Sequence, residues 1–155
     1  MSDDRSAEIR LAQTEADRAA VFAVRYEVFV DEQAVPEELE YDEFDLVADH
    51  FLALVDGVPA GTGRLVVAHS ALLKEGKSTG VLGRLAVGKT ARGRGLGRLL
   101  VQAIEQRAAE RGLTAVELHA QTQALGFYQQ LGYAAYGDLF SEAGIEHISM
   151  RKELR

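Results

Sequence analysis

The stretch Gly83-Arg84-Leu85-Ala86-Val87-Gly88-Lys89-Thr90-Ala91-Arg92-Gly93-Arg94-Gly95-Leu96-Gly97-Arg98 decides how the chain is read. It fits two phosphate-binding patterns at once, and its surroundings agree with one. Gly83 to Thr90 matches GxxxxGK[ST], which needs a strand before its first glycine, a flexible loop over the x positions and a helix from the lysine. Here the x positions are Arg-Leu-Ala-Val, a strand-forming run, and three glycines fall in the seven residues after Thr90. Each glycine inside a helix costs about 1 kcal/mol against alanine, so no helix is expected to open at Lys89. The companion acidic segment, Phe51 to Asp56, ends in a hairpin turn instead of a metal site. A P-loop nucleotide hydrolase is not expected.

The second pattern is Arg92-Gly93-Arg94-Gly95-Leu96-Gly97. A glycine-rich turn between strand and helix presents successive backbone N–H groups at the positive end of the helix dipole. Glycine lets that backbone approach a pyrophosphate closely, and arginines add charge-assisted contacts. Arg98 stands where the dinucleotide fingerprint GxGxxG has its last glycine, so that fingerprint fails. By itself the segment specifies an anion site.

Working outward, a strand at 80–87 leads into the loop, and a long helix follows it. Leu96, Leu99, Leu100, Ala103, Ile104 and Ala108 form its apolar stripe, and Gly112 its C-cap. Upstream, Ile9 and Leu11 alternate in a first strand, and Thr14 caps a helix to about Phe29. Residues 31–47 hold Pro36 and read as a short helix plus loop. Two strand-like runs, 50–55 and 58–68, flank Asp56-Gly57, a type I′ hairpin signal. A polar loop spans 69–79. Downstream come a strand at 115–119, a helix at about 121–131 ended by Gly132, and strands at 133–137 and 145–151. The order predicts an α/β (α+β) architecture: a mixed central sheet with helices on its faces, in a single domain over residues 1–155.

Composition agrees with a folded chain: 155 residues, 47% hydrophobic and 26% charged. There is no cysteine, which excludes disulfides, thiol nucleophiles and cysteine metal sites and fits a reducing cytoplasm. The first twenty residues hold five acids and no apolar core, so no secretory signal is expected. No apolar run approaches the roughly 20 residues that span a bilayer. The net charge of −7 disfavours nucleic acid and anionic membranes as partners. Its distribution is uneven. Glu27 to Gly63 carries eleven acids and no lysine or arginine, whereas Gly83 to Arg98 carries five basic residues and no acid. The acidic stretch reads either as an attractor for a cationic amine or as a solvated loop.

In its strand–loop–helix setting, Arg92-x-x-Gly95-x-Gly97 resembles the (Q/R)-x-x-G-x-(G/A) pyrophosphate loop of the GNAT superfamily of N-acetyltransferases. Ala124-x-x-x-Tyr128-x-x-x-Gly132-Tyr133 is similar to that superfamily's second motif. Val24-Arg25-Tyr26-Glu27-Val28-Phe29-Val30-Asp31-Glu32-Gln33 with Pro36 resembles the ElaA/YjcF-like subfamily. So do His119-Ala120-Gln121, Phe127-Tyr128 and Phe140-x-Glu142-x-Gly144-Ile145-x-His147. The resemblance runs from about residue 20 to 152. Gln121 departs from it, standing where many members of the superfamily carry asparagine.

The resemblance implies the GNAT fold and an acetyl-CoA-dependent N-acetyltransferase, with acetyl-CoA as cosubstrate, no metal, and a primary amine as acceptor; homodimers are common in the family. Backbone N–H groups from Arg92 through Gly93, Arg94, Gly95 and Leu96 to Gly97 would hold the pyrophosphate, with Arg98 nearby. Leu85, Ala86 and Val87 would pair with the pantetheine arm as an added strand, and Gln121 would contact it. Tyr128 would lie at the cofactor sulfur. The base stays open among Glu142, His147 and His119. Arg25 either anchors the acidic loop or touches substrate, and Glu32 and Gln33 have no derivable task. A non-catalytic acyl-CoA-binding module is the alternative from another class.

Overall fold

The computed structural model describes residues 6–67 and 79–154. Their strands and α-helices follow in the order β1 (Ala7–Leu11), α1 (Glu15–Arg25), α2 (Glu37–Glu40), β2 (Asp49–Val55), β3 (Val58–Val67), β4 (Thr79–Val87), α3 (Leu96–Glu110), β5 (Ala115–Gln121), α4 (Leu125–Gln130), β6 (Ala134–Glu142) and β7 (Ile145–Glu153). The strands make one sheet, β1-β2-β3-β4-β5-β7-β6. All its pairs are antiparallel except β4 with β5. This is the mixed, helix-flanked sheet that the sequence predicts.

Strand alternation assigns the two faces. Phe51 and Ala53 of β2 join Leu100, Val101, Ile104 and Ala108 of α3 in one core. Leu52 and Leu54, one residue out of phase, join Val21 of α1 in another. Helix α3 lies close to the sheet because β3 has glycine at 61 and 63 beneath Leu100 and Ile104. A Cβ at Gly63 would come within 2.9 Å of Ile104 Cδ1. Leu99, expected in the buried stripe, is exposed. At 3.6 residues per turn it falls outside the line of Leu96, Leu100, Ile104 and Ala108. The helix ends at Gly112 as expected: the Gly112 N–H donates to the Ala109 carbonyl at 3.0 Å and the Leu113 N–H to that of Ala108 at 2.9 Å. These are the paired bonds of a Schellman motif.

Four differences from the sequence reading concern the site. The first helix is α-helical only to Arg25 and continues as a π-helix over Tyr26–Glu32, a wider coil that delivers Glu32 and Gln33 to the far end. The helix expected at 121–131 divides: Gln121 completes β5, Thr122–Ala124 is a 3-10 turn, and α4 follows. Strand β6 continues past 137 to Glu142, because its ladder resumes after a bulge between Tyr136 and Phe140. Strand β4 also carries a bulge. Arg64 pairs with Gly83 and Thr62 with Ala86, and Arg84 sits between them at φ 50°. The polar loop expected at 69–79 lies outside the described residues, apart from Thr79. No helix among the described residues is long and apolar enough to cross a membrane.

A buried ion network ties the acidic segment to the sheet. Arg25 is fully buried. Its Nε donates to Glu40 Oε1 at 2.5 Å and its Nη1 to Asp45 Oδ1 at 2.6 Å. Arg64 of β3 donates to Asp42 at 2.7 Å and to Asp45 at 2.8 Å, and Arg84 of β4 to Asp42 at 3.2 Å. Arg25 therefore anchors the loop. Three of the acids of that stretch, Glu40, Asp42 and Asp45, are thus paired with arginines and are neither solvated nor free to attract an amine. Burial pushes the Asp45 carboxyl up, but the Arg25 hydrogen bond, the Asp42 N–H and the two arginine charges outweigh it and hold it at about 2.

A carboxyl lowered from 3.8 to about 2 stabilises the folded chain by about 2 kcal/mol at neutral pH. The contribution is complete above the unfolded value and fades as pH falls through the folded one. We predict that Asp45→Asn lowers urea stability at pH 7 by about 2–4 kcal/mol, because it also leaves buried arginine charge under-compensated. The gap to wild type should narrow steadily from pH 4 to pH 2. A gap independent of pH in urea titrations would refute the assignment.

Candidate active site

Strands β4 and β5 pair only from Thr79 to Val81 with Ala115 to Glu117. Beyond that the parallel strands part, and a cleft of about 1080 Å³ opens between them. Leu85, Ala86 and Val87 line one wall. Their ladder to β3 occupies the other edge of β4, through Ala86 with Thr62 and Val87 with Gly61. The backbone edge of β4 facing the cleft is thus an unpaired strand edge. Gln121, Tyr128, Glu142 and His147 line the cleft from the β5–β7 side, with His119.

The N-terminus of α3 adjoins the cleft at Val87 and Phe127, although Gly93 to Arg98 do not line it. Gly93 and Gly95 both have left-handed backbones, at φ 83° and 79°. Gly95 is the N-cap, and no side chain caps the helix. The first intrahelical bond is that of the Leu99 N–H to the Gly95 carbonyl at 3.1 Å, so the Leu96, Gly97 and Arg98 N–H groups precede it. Gly97 serves packing as well: a Cβ there would lie 3.2 Å from Phe127 Cζ. Arg94 and Arg98 are exposed on this turn. Lys89 to Ala91 form a 3-10 turn and the helix starts at Leu96, so the GxxxxGK[ST] match is not a P-loop.

The Arg92 side chain is held by the chain itself. Its Nε donates to the Val87 carbonyl at 2.9 Å, and its two Nη groups grip Glu32 at 2.7 and 2.5 Å. The guanidinium therefore braces the loop against β4 and the π-helix. This supplies the missing task of Glu32. Gln33 has one too: it accepts a hydrogen bond at 2.9 Å from the Gln121 amide, whose oxygen accepts one from Gln123. Gln121 is held in an amide chain across the cleft.

Tyr128 is buried on α4, edge-on to Phe127 and Tyr133 with ring centroids 5.0 and 5.9 Å apart. Burial pushes its phenol well above the ordinary value, so it is a neutral hydrogen-bond donor at physiological pH.

The C-terminal candidates gather on β5–β7. His119 Nδ1 lies 2.9 Å from Glu142 Oε1. That hydrogen bond raises the imidazole pKa above its ordinary value, against an opposing effect of burial, and the Glu142 and Glu117 charges add to it. The same bond lowers the Glu142 carboxyl. His147 is buried, with Nδ1 at 2.7 Å from the Ile145 carbonyl. Phe140 stacks on His147 at 5.9 Å and meets His119 edge-on at 4.9 Å. The sequence reading missed the positioning role of Phe140 and the placing of Arg84 in the cleft wall. Neither a bulge nor a non-glycine residue at positive φ leaves a pattern in the residue order. Among the described residues no group of three or more His, Asp or Glu side chains is arranged to hold a metal ion.

The acetyltransferase (GNAT) domain model matches residues 11–154. The chain is 38% identical over 144 residues to the uncharacterized N-acetyltransferase YjcF of Bacillus subtilis, covering 92% of this chain and 97% of that one. Among solved structures, an acyl-CoA N-acyltransferase from Pseudomonas aeruginosa superposes with a TM-score of 0.78 at 33% identity, over 96% of this chain and 99% of the other. Escherichia coli ElaA does so with a TM-score of 0.79 at 25% identity, over the same shares.

The His119–Glu142 bond yields a prediction read by NMR titration of the imidazole. In wild type His119 should titrate above 6.5. In Glu142→Gln the main raising partner is gone while burial and the Glu117 charge remain, so its pKa should fall. An unchanged titration would mean that the bond is absent in solution.

Proposed function

Because the chain belongs to the acetyltransferase (GNAT) domain family, we propose that it transfers the acetyl group of acetyl-CoA directly to the primary amine of an acceptor. The observation that carries this reading is the parting of β4 from β5, with an uncapped helix N-terminus adjoining the gap and Tyr128 in its wall. The chain has no cysteine, so an acyl-enzyme on a thiol is not an available route.

Three features support binding of the cosubstrate. The N–H groups of the Arg92–Gly97 turn and of the first turn of α3 suit a pyrophosphate, favoured further by the helix dipole. The unpaired edge of β4 at Leu85 to Val87 suits the amides of a pantetheine arm, as in strand addition. The volume of the cleft admits an extended ligand. When bound, acetyl-CoA supplies an activated thioester; the remaining work falls to the chain. A β4 backbone N–H at the gap donates to the thioester carbonyl, as an oxyanion hole would.

Tyr128 donates its hydroxyl to the departing sulfur. Full proton transfer from a phenol of pKa about 10 to a thiolate of pKa about 8.5 is uphill by about 2 kcal/mol. Burial makes the phenolate harder still to form. Hydrogen-bond stabilisation is therefore the role assigned. Glu142, His147 and His119 supply the acceptor side, where the amine must lose a proton.

The test is kinetic and calorimetric. Thiol release from acetyl-CoA should require an amine, found by screening small amines, polyamines, aminoglycosides and peptides. Tyr128→Phe should lower kcat by about 10²–10⁴-fold, the usual worth of a positioned donor, with little change in acetyl-CoA Kd. Gly95→Glu should weaken acetyl-CoA at least about tenfold, since it strains a left-handed position and sets a negative charge at the anion site. Tight acetyl-CoA binding without thiol release for any amine would favour the binding module. A Tyr128→Phe rate within about threefold of wild type would remove the tyrosine from the mechanism.

A further inference from the structure

Resting on the acetyl-transfer reading above, we propose that His119 is the general base, taking the acceptor's proton on Nε2, and that Glu142 is the positioning residue that holds its ring. His119 stands on β5, the strand bordering the gap, and lines the cleft. Its Nδ1 is 2.9 Å from Glu142 Oε1. An ionised carboxylate only accepts hydrogen bonds, so in the neutral ring Nδ1 carries the proton and Nε2 keeps its lone pair. The Phe140 ring, edge-on at 4.9 Å, fixes the imidazole plane. The His119 side chain is 52% exposed, so an amine or one bridging water reaches Nε2. A base aligned by a carboxylate on its other nitrogen is the arrangement that activates nucleophiles elsewhere.

The alternatives fit less well. Glu142 already accepts from His119, which makes its carboxylate a weaker base. His147 is buried, its Nδ1 held by the Ile145 carbonyl and its ring stacked on Phe140. The charged groups around the pair come from four strands. Glu117 shares β5 with His119 and raises its pKa; Glu142 reaches it from β6; His147 of β7 and Arg84 of β4 act on Glu142 and keep it ionised. Arg84 is brought into this set by the β4 bulge.

In the step itself the amine lone pair forms the C–N bond to the acyl carbon and the C–S bond breaks, its electron pair going to sulfur. The nitrogen's proton passes to His119 Nε2, which returns it to solvent. Tyr128 hydrogen-bonds the sulfur.

The experiment uses the full chain, acetyl-CoA and one amine that turns over. His119→Ala should lower kcat by about 10²–10⁴-fold, leave acetyl-CoA Kd unchanged and regain rate when imidazole is added. The wild-type profile of kcat/KM against pH should rise through the pKa that His119 shows by NMR. In Glu142→Gln that limb should move to lower pH together with the NMR pKa; comparing variants with one amine cancels the ionisation of the amine. A His119→Ala rate within threefold of wild type would overturn the assignment, as would a limb in Glu142→Gln that stays put while the NMR pKa moves. Transfer by wild type that stays within threefold in His119→Ala overturns this assignment alone. No transfer by wild type to any amine overturns the proposed function and the assignment with it.

Discussion

Everything at the site depends on a shortage of hydrogen bonds between two neighbouring strands. β4 and β5 are parallel, joined through α3, and pair for three residues before they diverge. Backbone polar groups away from water need partners, and a parted pair of strands leaves some of them unmet. The fold makes use of this. One edge of β4 is tied to β3 while the other faces a cleft, so a peptide-like ligand can complete the sheet. The bulge at Arg84 belongs to the same arrangement. It shifts the alternation of β4, so that Leu82 faces α3 before the bulge and Leu85 and Val87 after it, while Ala86 joins Val24 and Val28.

Around the cleft, opposite charges are brought together from distant parts of the chain. The acid-rich segment between Glu27 and Gly63 and the basic segment between Gly83 and Arg98 look independent along the sequence. In the fold they meet where Arg84 reaches Asp42 and Arg92 grips Glu32. Arg25 and Arg64, which flank the acid-rich segment, neutralise Glu40 and Asp45. Buried charges persist only where paired and hydrogen-bonded, and each acid here accepts from at least one guanidinium. The π-helical turn is what lets a single helix serve both ends. Arg25 faces the acidic loop from its last α-helical position, and Glu32 with Gln33 reach the anion loop and β5.

The two sides of the cleft are chemically distinct because the sheet separates them. Tyr128 comes from α4 on the α3 face, in a dry environment that keeps its phenol neutral. His119 and Glu142 stand half-exposed, where protons can exchange with water. In the proposed reaction a donor for the leaving group and an acceptor for the proton must not neutralise each other, and these separate environments suit that division.

The residues alone determined the order of elements, the glycine turn before α3 and the family. Local chemistry is enough for these: alternation for the strands, an apolar stripe for α3, and glycines where the backbone must turn left-handed. The rejection of the GxxxxGK[ST] match also came from local propensity, and the structure agrees. The tertiary structure decided the tasks of individual side chains. The Arg92 guanidinium is on Glu32, sixty positions away, which no local pattern announces. Glu142 came opposite the histidines only because β6 resumes after its bulge and turns through Ala143, a positive-φ alanine that no turn signal marks. Such assignments rest on which strand lies beside which and in what register, and register is set by burial of whole faces. Sequence order carries local preference, whereas pairing across β4, β5, β6 and β7 exists only once the chain has folded.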